Sequence, residues 1–221
     1  GASLHLVKEF GQVRLEPNLH ALRRLYLEPT TACNLSCQTC IRHTWSEAPG
    51  FISRELVKKV SSELKDFPFL QSIMLAGFGE PLVHRDIAWM VEKLKTASSV
   101  SIEITTNGTL LDETMARDLL EAGLDRLWVS FDGSSETSFN DIRRGASFNL
   151  VLQNVQRIRD LAAGQNKPFS LGISFVVMRD NINELKNIER LIEATGADSL
   201  LLTNVLPYTE DMERQMVCPL A

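Results

Sequence analysis

Cys33, Cys37 and Cys40 stand in the run T-A-C-N-L-S-C-Q-T-C-I-R, a C-x3-C-x2-C spacing within one short segment. Three thiolates converging from one loop can hold three irons of a cubic [4Fe–4S] cluster. The fourth iron then has no protein ligand, and an open metal position is where a small molecule can bind. Two other chemistries fit the same spacing. His43 could complete a zinc site with the three cysteines, or Cys218 could close the cluster.

Further polar and glycine-rich runs follow at intervals: G-F-G-E-P (Gly77 to Pro81), T-N-G-T (Thr106 to Thr109) and S-F-D-G (Ser130 to Gly133). Arg143 and Arg144 come next, in a stretch of small residues that reads as a loop. Glycines at 77 and 79 would let backbone approach a ligand closely, and Glu80 offers a carboxylate to a cationic group. Taken singly, each run is an ordinary turn or surface loop. Together they end four consecutive apolar runs, on one rim with the cysteines.

The elements that must position these residues alternate along the chain. Strands are predicted at Leu25 to Glu28, Ser72 to Ala76, Val100 to Thr105, Leu127 to Phe131, Ser170 to Val177 and Ser199 to Thr203. Helices are predicted at Arg54 to Lys65, Ile87 to Lys95, Asp112 to Glu121, Leu150 to Leu161 and Asn183 to Glu193. The first should bury Leu56, Val57, Val60 and Leu64 and be capped by Ser53; the second should bury Ile87, Met90, Val91 and Leu94. Gly123 should close the third. Repeated βα units imply parallel strands and right-handed crossovers, and near-continuous apolar strands suggest cover on both faces. Six units are two short of a closed eight-fold barrel. The expected fold class is therefore α/β, a partial (βα)6 TIM-like barrel, with a doubly wound sheet as the alternative. Residues 1–24 read as an N-terminal extension, with a short strand at Val13 to Leu15. Residues 25–204 read as the core, and 205–221 as a linker or the start of a missing C-terminal domain.

Bulk composition narrows the function. The chain has 221 residues, 44% of them hydrophobic and 23% charged, as in ordinary globular domains. A net charge of −5 argues against a nucleic-acid partner. No apolar run is long enough to span a membrane, and the opening residues lack a signal-peptide pattern. Four cysteines, three of them clustered, suit a reducing, cytoplasmic setting.

In their order and spacing, C-x3-C-x2-C, G-F-G-E-P, T-N-G and S-F-D-G resemble the radical S-adenosylmethionine (radical SAM) superfamily, over roughly Leu25 to Asn204. The runs L-Y-L-E-P-T-T-A-C-N-L-S-C and V-S-F-D-G with I-R-R-G are similar to its SPASM/twitch branch of peptide, protein and cofactor maturases. C-I-R-H-T-W with G-F-G-E-P-L-V-H resembles, more narrowly, the maturases of tungsten-cofactor oxidoreductases. The resemblance implies a [4Fe–4S] cluster on Cys33, Cys37 and Cys40 and S-adenosylmethionine on its open iron. Reductive cleavage then gives a 5′-deoxyadenosyl radical that takes hydrogen from a peptide, protein or cofactor precursor. It implies a flavodoxin or ferredoxin as reductant. Gly77, Gly79 and Glu80 would receive the methionyl amine, and Ser130 and Arg143 the carboxylate or ribose. Asn107 would lie near ribose or substrate, and Asp132 could polarise substrate or take a proton. Ser174, Val176 and Leu206 would line the adenine side. One departure is Thr39, where the family has an aromatic residue; Ile41 or Trp45 could supply the adenine packing instead. A second is that Cys218 is the only cysteine beyond the barrel, which suggests truncation before an auxiliary-cluster domain. A stand-alone small-molecule radical enzyme and a non-enzymatic zinc or iron–sulfur module are the alternatives.

Overall fold

A computed structural model describes residues 4–9, 12–17, 22–165 and 167–218. Strands β1 (Leu4–Glu9) and β2 (Gln12–Pro17) pair as an antiparallel hairpin. The expected short strand at Val13 to Leu15 lies within β2. The other strands are β3 (Arg24–Leu27), β4 (Ser72–Leu75), β5 (Ser101–Thr106), β6 (Arg126–Ser130), β7 (Ser170–Val177) and β8 (Ser199–Asn204). They form one parallel sheet whose spatial order is the chain order, β3 to β8. A doubly wound sheet would reverse direction at a switch point. Sequential right-handed crossovers instead put every helix on one side, and the sheet curls into an open half-barrel.

The helices are α1 (Arg54–Glu63), α2 (Ile87–Ala97), α3 (Glu113–Glu121), α4 (Glu136–Ile142), α5 (Phe148–Ala163), α6 (Ile188–Thr195) and α7 (Glu210–Gln215). Ser53 caps α1 by accepting the Leu56 N–H at 3.2 Å, and Asp112 caps α3 by accepting the Met115 N–H at 2.8 Å. Gly123 ends α3 at φ 92°, a left-handed conformation that favours glycine. Ile87, Met90, Val91 and Leu94 of α2 are all fully buried. Each contributes roughly 1.5–3 kcal/mol as an upper estimate. Leu56 does not share the buried face of α1; it is 48% exposed, while Val57 and Leu64 are buried. Residues 182–187 form a 3-10 turn before α6 rather than its first turns.

Helices α4 and α7 occupy stretches read from the sequence as loop and linker. In α4, E-T-S-F-N-D-I, only Phe139 and Ile142 are buried, too few to show as a stripe. Because the helices cover one side only, the expectation that every strand is covered on both faces also fails. In β6, Leu127 and Val129 are fully buried against the helices, while Arg126, Trp128 and Ser130 alternate with them and face into the half-barrel. The edge strand β8 leaves Leu201 and Leu202 about half exposed.

Candidate active site

The strand ends β3 to β6 deliver their polar runs to one rim. An open cavity of about 210 Å³ there is lined by Cys33, Cys37, Cys40, Gly77, Gly79, Glu80, Asn107, Ser130 and Arg143, together with Thr39, Ile41, Phe78, Thr105, Thr106 and Tyr208. All three thiols of the cysteine run thus face one space. Among the described residues, no three His, Cys, Asp or Glu side chains gather tightly enough to hold a single metal ion. A cubic cluster, whose iron corners stand apart, is one centre that three cysteines on a shared cavity wall could hold. His43 instead bonds through Nε2 with the Cys37 carbonyl at 2.8 Å, and the exposed Cys218 is not on the cavity wall.

Backbone contacts hold the cysteine loop. The Ser36 N–H donates to the Arg144 carbonyl at 3.0 Å and the Gln38 N–H to the Ile142 carbonyl at 2.9 Å. The Gln38 side chain adds a bond to the Asp141 carbonyl at 2.9 Å. On the other side, the Glu80 N–H donates to the Ala32 carbonyl at 2.8 Å. A Cβ on Gly79 would lie 2.6 Å from that carbonyl and still closer to the Thr30 carbonyl. Glycine at 79 is therefore a condition for docking G-F-G-E against the cysteine lead-in. Glu28, at the end of β3, accepts the Phe78 N–H at 2.5 Å and shapes the same loop.

Burial pushes the Cys37 thiol up to about 11, and burial raises Cys33 as well. In the metal-free protein these thiols hold their protons; coordination must displace them. Glu80 is 3% exposed. Its Oε1 accepts the Thr106 hydroxyl at 2.7 Å and the Leu82 N–H at 3.0 Å, and its Oε2 accepts the Asn107 N–H at 2.6 Å. Burial raises its pKa, while these donors and Arg143 pull the other way. Asn107 also reaches Asn34 Oδ1 at 3.0 Å and lies 3.9 Å from the Cys33 sulfur.

Arg143 ends α4 and pairs with Asp132 at 2.8 Å, with side chains 10% and 0% exposed. Burial works against the guanidinium charge; Asp132 together with Cys37 and Glu80 outweighs it and holds the Arg143 pKa above its ordinary value. Its Nε is buried with no hydrogen-bond partner. An orphaned guanidinium donor beside the cavity is what an anionic ligand would satisfy. Three free thiols, a glycine cradle and this donor fit a cluster with a bound carboxylate.

Several expected residues lie elsewhere. Asp132 is fully buried and absent from the cavity wall; its Oδ1 accepts the Val176 N–H at 2.9 Å. It holds Arg143 and β7, away from the cavity where the sequence expectation of polarising substrate or taking a proton would put it. Val176 packs on a small cluster of Ile142, Met178, Val205, Met212 and Met216. Ser174 pairs beside Ser130 in the sheet without reaching the cavity wall, and Leu206 is 51% exposed. Tyr208 arrives from that last segment instead. Ile41 lines the cavity, whereas Trp45 packs edge-on against Phe78 at 4.9 Å. Glu28 and Tyr208 were missed. Glu28 had a signal, a carboxylate closing an apolar strand on the motif rim; Tyr208 had none, because its segment shows no periodicity.

The sequence profile of the radical SAM superfamily matches residues 27–211. The chain belongs to the radical SAM superfamily. Members generally use a [4Fe–4S] cluster and S-adenosylmethionine, and the chain is an enzyme of this class. It is 31% identical over 200 residues to the tungsten-containing aldehyde ferredoxin oxidoreductase cofactor-modifying protein of Pyrococcus furiosus, covering 89% of this chain and 55% of that one. This agrees with the narrower resemblance to tungsten-cofactor maturases. It is 32% identical over 181 residues to a probable GTP 3′,8-cyclase of Sulfurisphaera tokodaii, covering 80% and 54% respectively. The chain therefore spans little more than half the length of these curated relatives. Among solved structures, methylornithine synthase superposes with a TM-score of 0.71 at 15% identity, covering 96% of this chain and 60% of that one. Streptococcus suis SuiB bound to the precursor peptide SuiA gives 0.69 at 14%, covering 91% and 43%. Native anSMEcpe with bound AdoMet gives 0.68 at 22%, covering 84% and 52%. These likenesses establish the partial barrel. Among the described residues no helix is long and apolar enough to cross a membrane.

Proposed function

We propose that this chain is the catalytic barrel of a maturase-type radical SAM enzyme acting on a peptide, protein or cofactor precursor. The observation that carries the reading is the convergence of Cys33, Cys37 and Cys40 with Glu80 and the orphaned Arg143 donor on one cavity. The three cysteines would hold three irons and leave one open to S-adenosylmethionine. When bound, the reduced cluster supplies the electron that cleaves the sulfonium bond and yields a 5′-deoxyadenosyl radical. Arg143 would bind the methionyl carboxylate, its charge fixed and aimed by Asp132. Glu80 and the Gly77–Gly79 backbone would receive the amine, and Ser130 and Asn107 would orient ribose or substrate. Ile41 and Tyr208 offer apolar cover for adenine in place of an aromatic residue at Thr39. The half-barrel walls would exclude water from a reactive radical.

Two relatives point to the substrate class by name, one a cofactor-modifying protein and the other a probable GTP cyclase. A reducing cytoplasm and a flavodoxin or ferredoxin electron donor fit the cluster chemistry. Anaerobic reconstitution tests the whole reading. About four irons per chain, with 5′-deoxyadenosine formed from S-adenosylmethionine under reducing conditions, is the expected result. Cys37→Ala should lose both. Tight zinc with no S-adenosylmethionine affinity would replace this function with a structural metal module.

A further inference from the structure

We infer that Asn34 and Thr109 are positioning residues that aim the Asn107 amide at the Cys33 sulfur and so raise the reduction potential of the cluster held there. This rests on the proposed function and adds to it a control on the electron the cluster gives. The T-N-G-T run after β5 is pinned through its backbone. The Asn107 N–H donates to Glu80 Oε2 at 2.6 Å, and the Gly108 carbonyl accepts from the buried Asn154 side chain at 2.9 Å. Asn107 is 5% exposed and lines the cavity.

The side chains of Asn107, Thr109 and Asn34 then close a ring of hydrogen bonds between segments 75 residues apart. Its direction is forced. A backbone N–H can only donate, and that of Thr109 lies 3.0 Å from Asn107 Oδ1, so this atom is the amide oxygen. The Thr109 hydroxyl also donates to it at 2.7 Å and accepts from Asn34 Nδ2 at 2.8 Å. Asn34 Oδ1 is thereby turned to Asn107 Nδ2, at 3.0 Å. That bond takes one of the two Nδ2 protons. The other is left for the Cys33 sulfur, 3.9 Å from the same nitrogen. The Leu35 N–H reaches this sulfur as well, at 3.5 Å. Among the described residues these are the hydrogen bonds that reach a sulfur of the cysteine run, so the three ligands are not equivalent. An N–H directed at a ligand sulfur offsets negative charge. The reduced cluster carries one more negative charge than the oxidised one, so the donor favours reduction and lifts the potential. The Thr109 N–H alone would hold a local turn. Asn34 is exposed, so packing does not account for its place in the ring.

The test reconstitutes wild type, Asn107→Ala, Thr109→Val, Thr109→Ser and Asn34→Ala anaerobically. Midpoint potentials are read by redox titration followed by electron paramagnetic resonance. Asn107→Ala should make reduction about 3- to 10-fold less favourable, tenfold being about 59 mV for one electron. Thr109→Val and Asn34→Ala should each give part of that shift in the same direction. Thr109→Ser keeps the hydroxyl and should give none. A ring that merely braces the turn would lower iron uptake or the urea midpoint and leave the potential of loaded protein unchanged. Equal potentials in wild type and Asn107→Ala overturn the inference, as does a Thr109→Ser shift as large as that of Thr109→Val. Neither Asn34 nor Thr109 lines the cavity, so their variants decide the matter if Asn107→Ala takes up no iron; unshifted potentials in both overturn it. In the metal-free chain, the Asn34→Ala/Thr109→Val double variant should lose less stability in urea than the two singles summed, because they share one bond. Strict additivity there refutes the ring. Four-iron wild type that forms 5′-deoxyadenosine beside unshifted variants sinks only this inference. Wild type that takes up no cluster sinks the proposed function and takes this inference with it.

Discussion

Replacing Asp132 by asparagine removes one charge from the pair that holds Arg143 and changes little else. The amide oxygen of asparagine can still accept the Val176 N–H, now 2.9 Å from Oδ1, so β7 keeps its place. Arg143 keeps a side chain that is only 10% exposed, and its 2.8 Å partner no longer carries charge. Breaking a buried ion pair from one side costs about 3–5 kcal/mol, because the remaining charge stays desolvated. Against a total of about 5–15 kcal/mol for a domain, that is a large fraction. With a urea slope of about 1–3 kcal/mol per molar, the midpoint of the metal-free chain should fall by at least about 1 M. Arg143→Met in the same background removes the stranded charge and should restore part of the loss. Circular dichroism through a urea series reads all three chains. A change below about 0.5 kcal/mol for Asp132→Asn, with no recovery in the double variant, would refute the assignment of Asp132 as the holder of Arg143.

The glycine cradle makes a sharper prediction on cofactor content. Gly79→Ala meets two backbone carbonyls that precede Cys33, so iron per reconstituted chain should fall by half or more; Gly77→Ala meets only the Glu28 side chain and should lose less. Equal iron in both would contradict the packing. Glu28→Gln keeps the size but can turn a donor toward the Phe78 N–H, now 2.5 Å from Oε1; it should weaken S-adenosylmethionine binding several-fold, measured by calorimetry on reconstituted protein. In the metal-free chain, iodoacetamide at pH 8 should label the exposed Cys218 well before Cys37, as read by mass spectrometry. The folded chain holds the Cys37 proton up to about 11, against 9.0 for a free thiol. Between those values the native state binds more protons than the unfolded one, so its stability falls as pH rises, by at most about 2–3 kcal/mol. A flat urea midpoint from pH 9 to 11 would exclude that burial.

Residues that share a strict period were legible in the sequence. Ile87, Met90, Val91 and Leu94 repeat at helical spacing and are all fully buried. The motif residues Cys33 to Ser130 could be assigned to one rim because each run follows a strand, and parallel strands point their carboxyl ends the same way. What a side chain does on arrival depends on neighbours far along the chain, and there the sequence was silent. Asp132 and Arg143 are separated by a helix with two buried apolar residues, so nothing announced that they would neutralise each other. Alternation in R-L-W-V-S was visible, yet a strand covered by helices on one side and open on the other differs from a fully covered one only at Arg126 and Trp128. Tyr208 depends on how residues 205–216 fold back onto Ile142 and Met178, a contact between segments with no shared pattern.

The bonds from Ser36 and Gln38 to the carbonyls of Arg144 and Ile142 have a consequence for how the site tolerates change. They join the sulfur-bearing loop to the peptide stretch that carries the guanidinium, so both move as a unit. A substitution that shifts the Arg143 stretch would therefore be felt at the sulfurs, and one that shifts the sulfurs would be felt at the guanidinium.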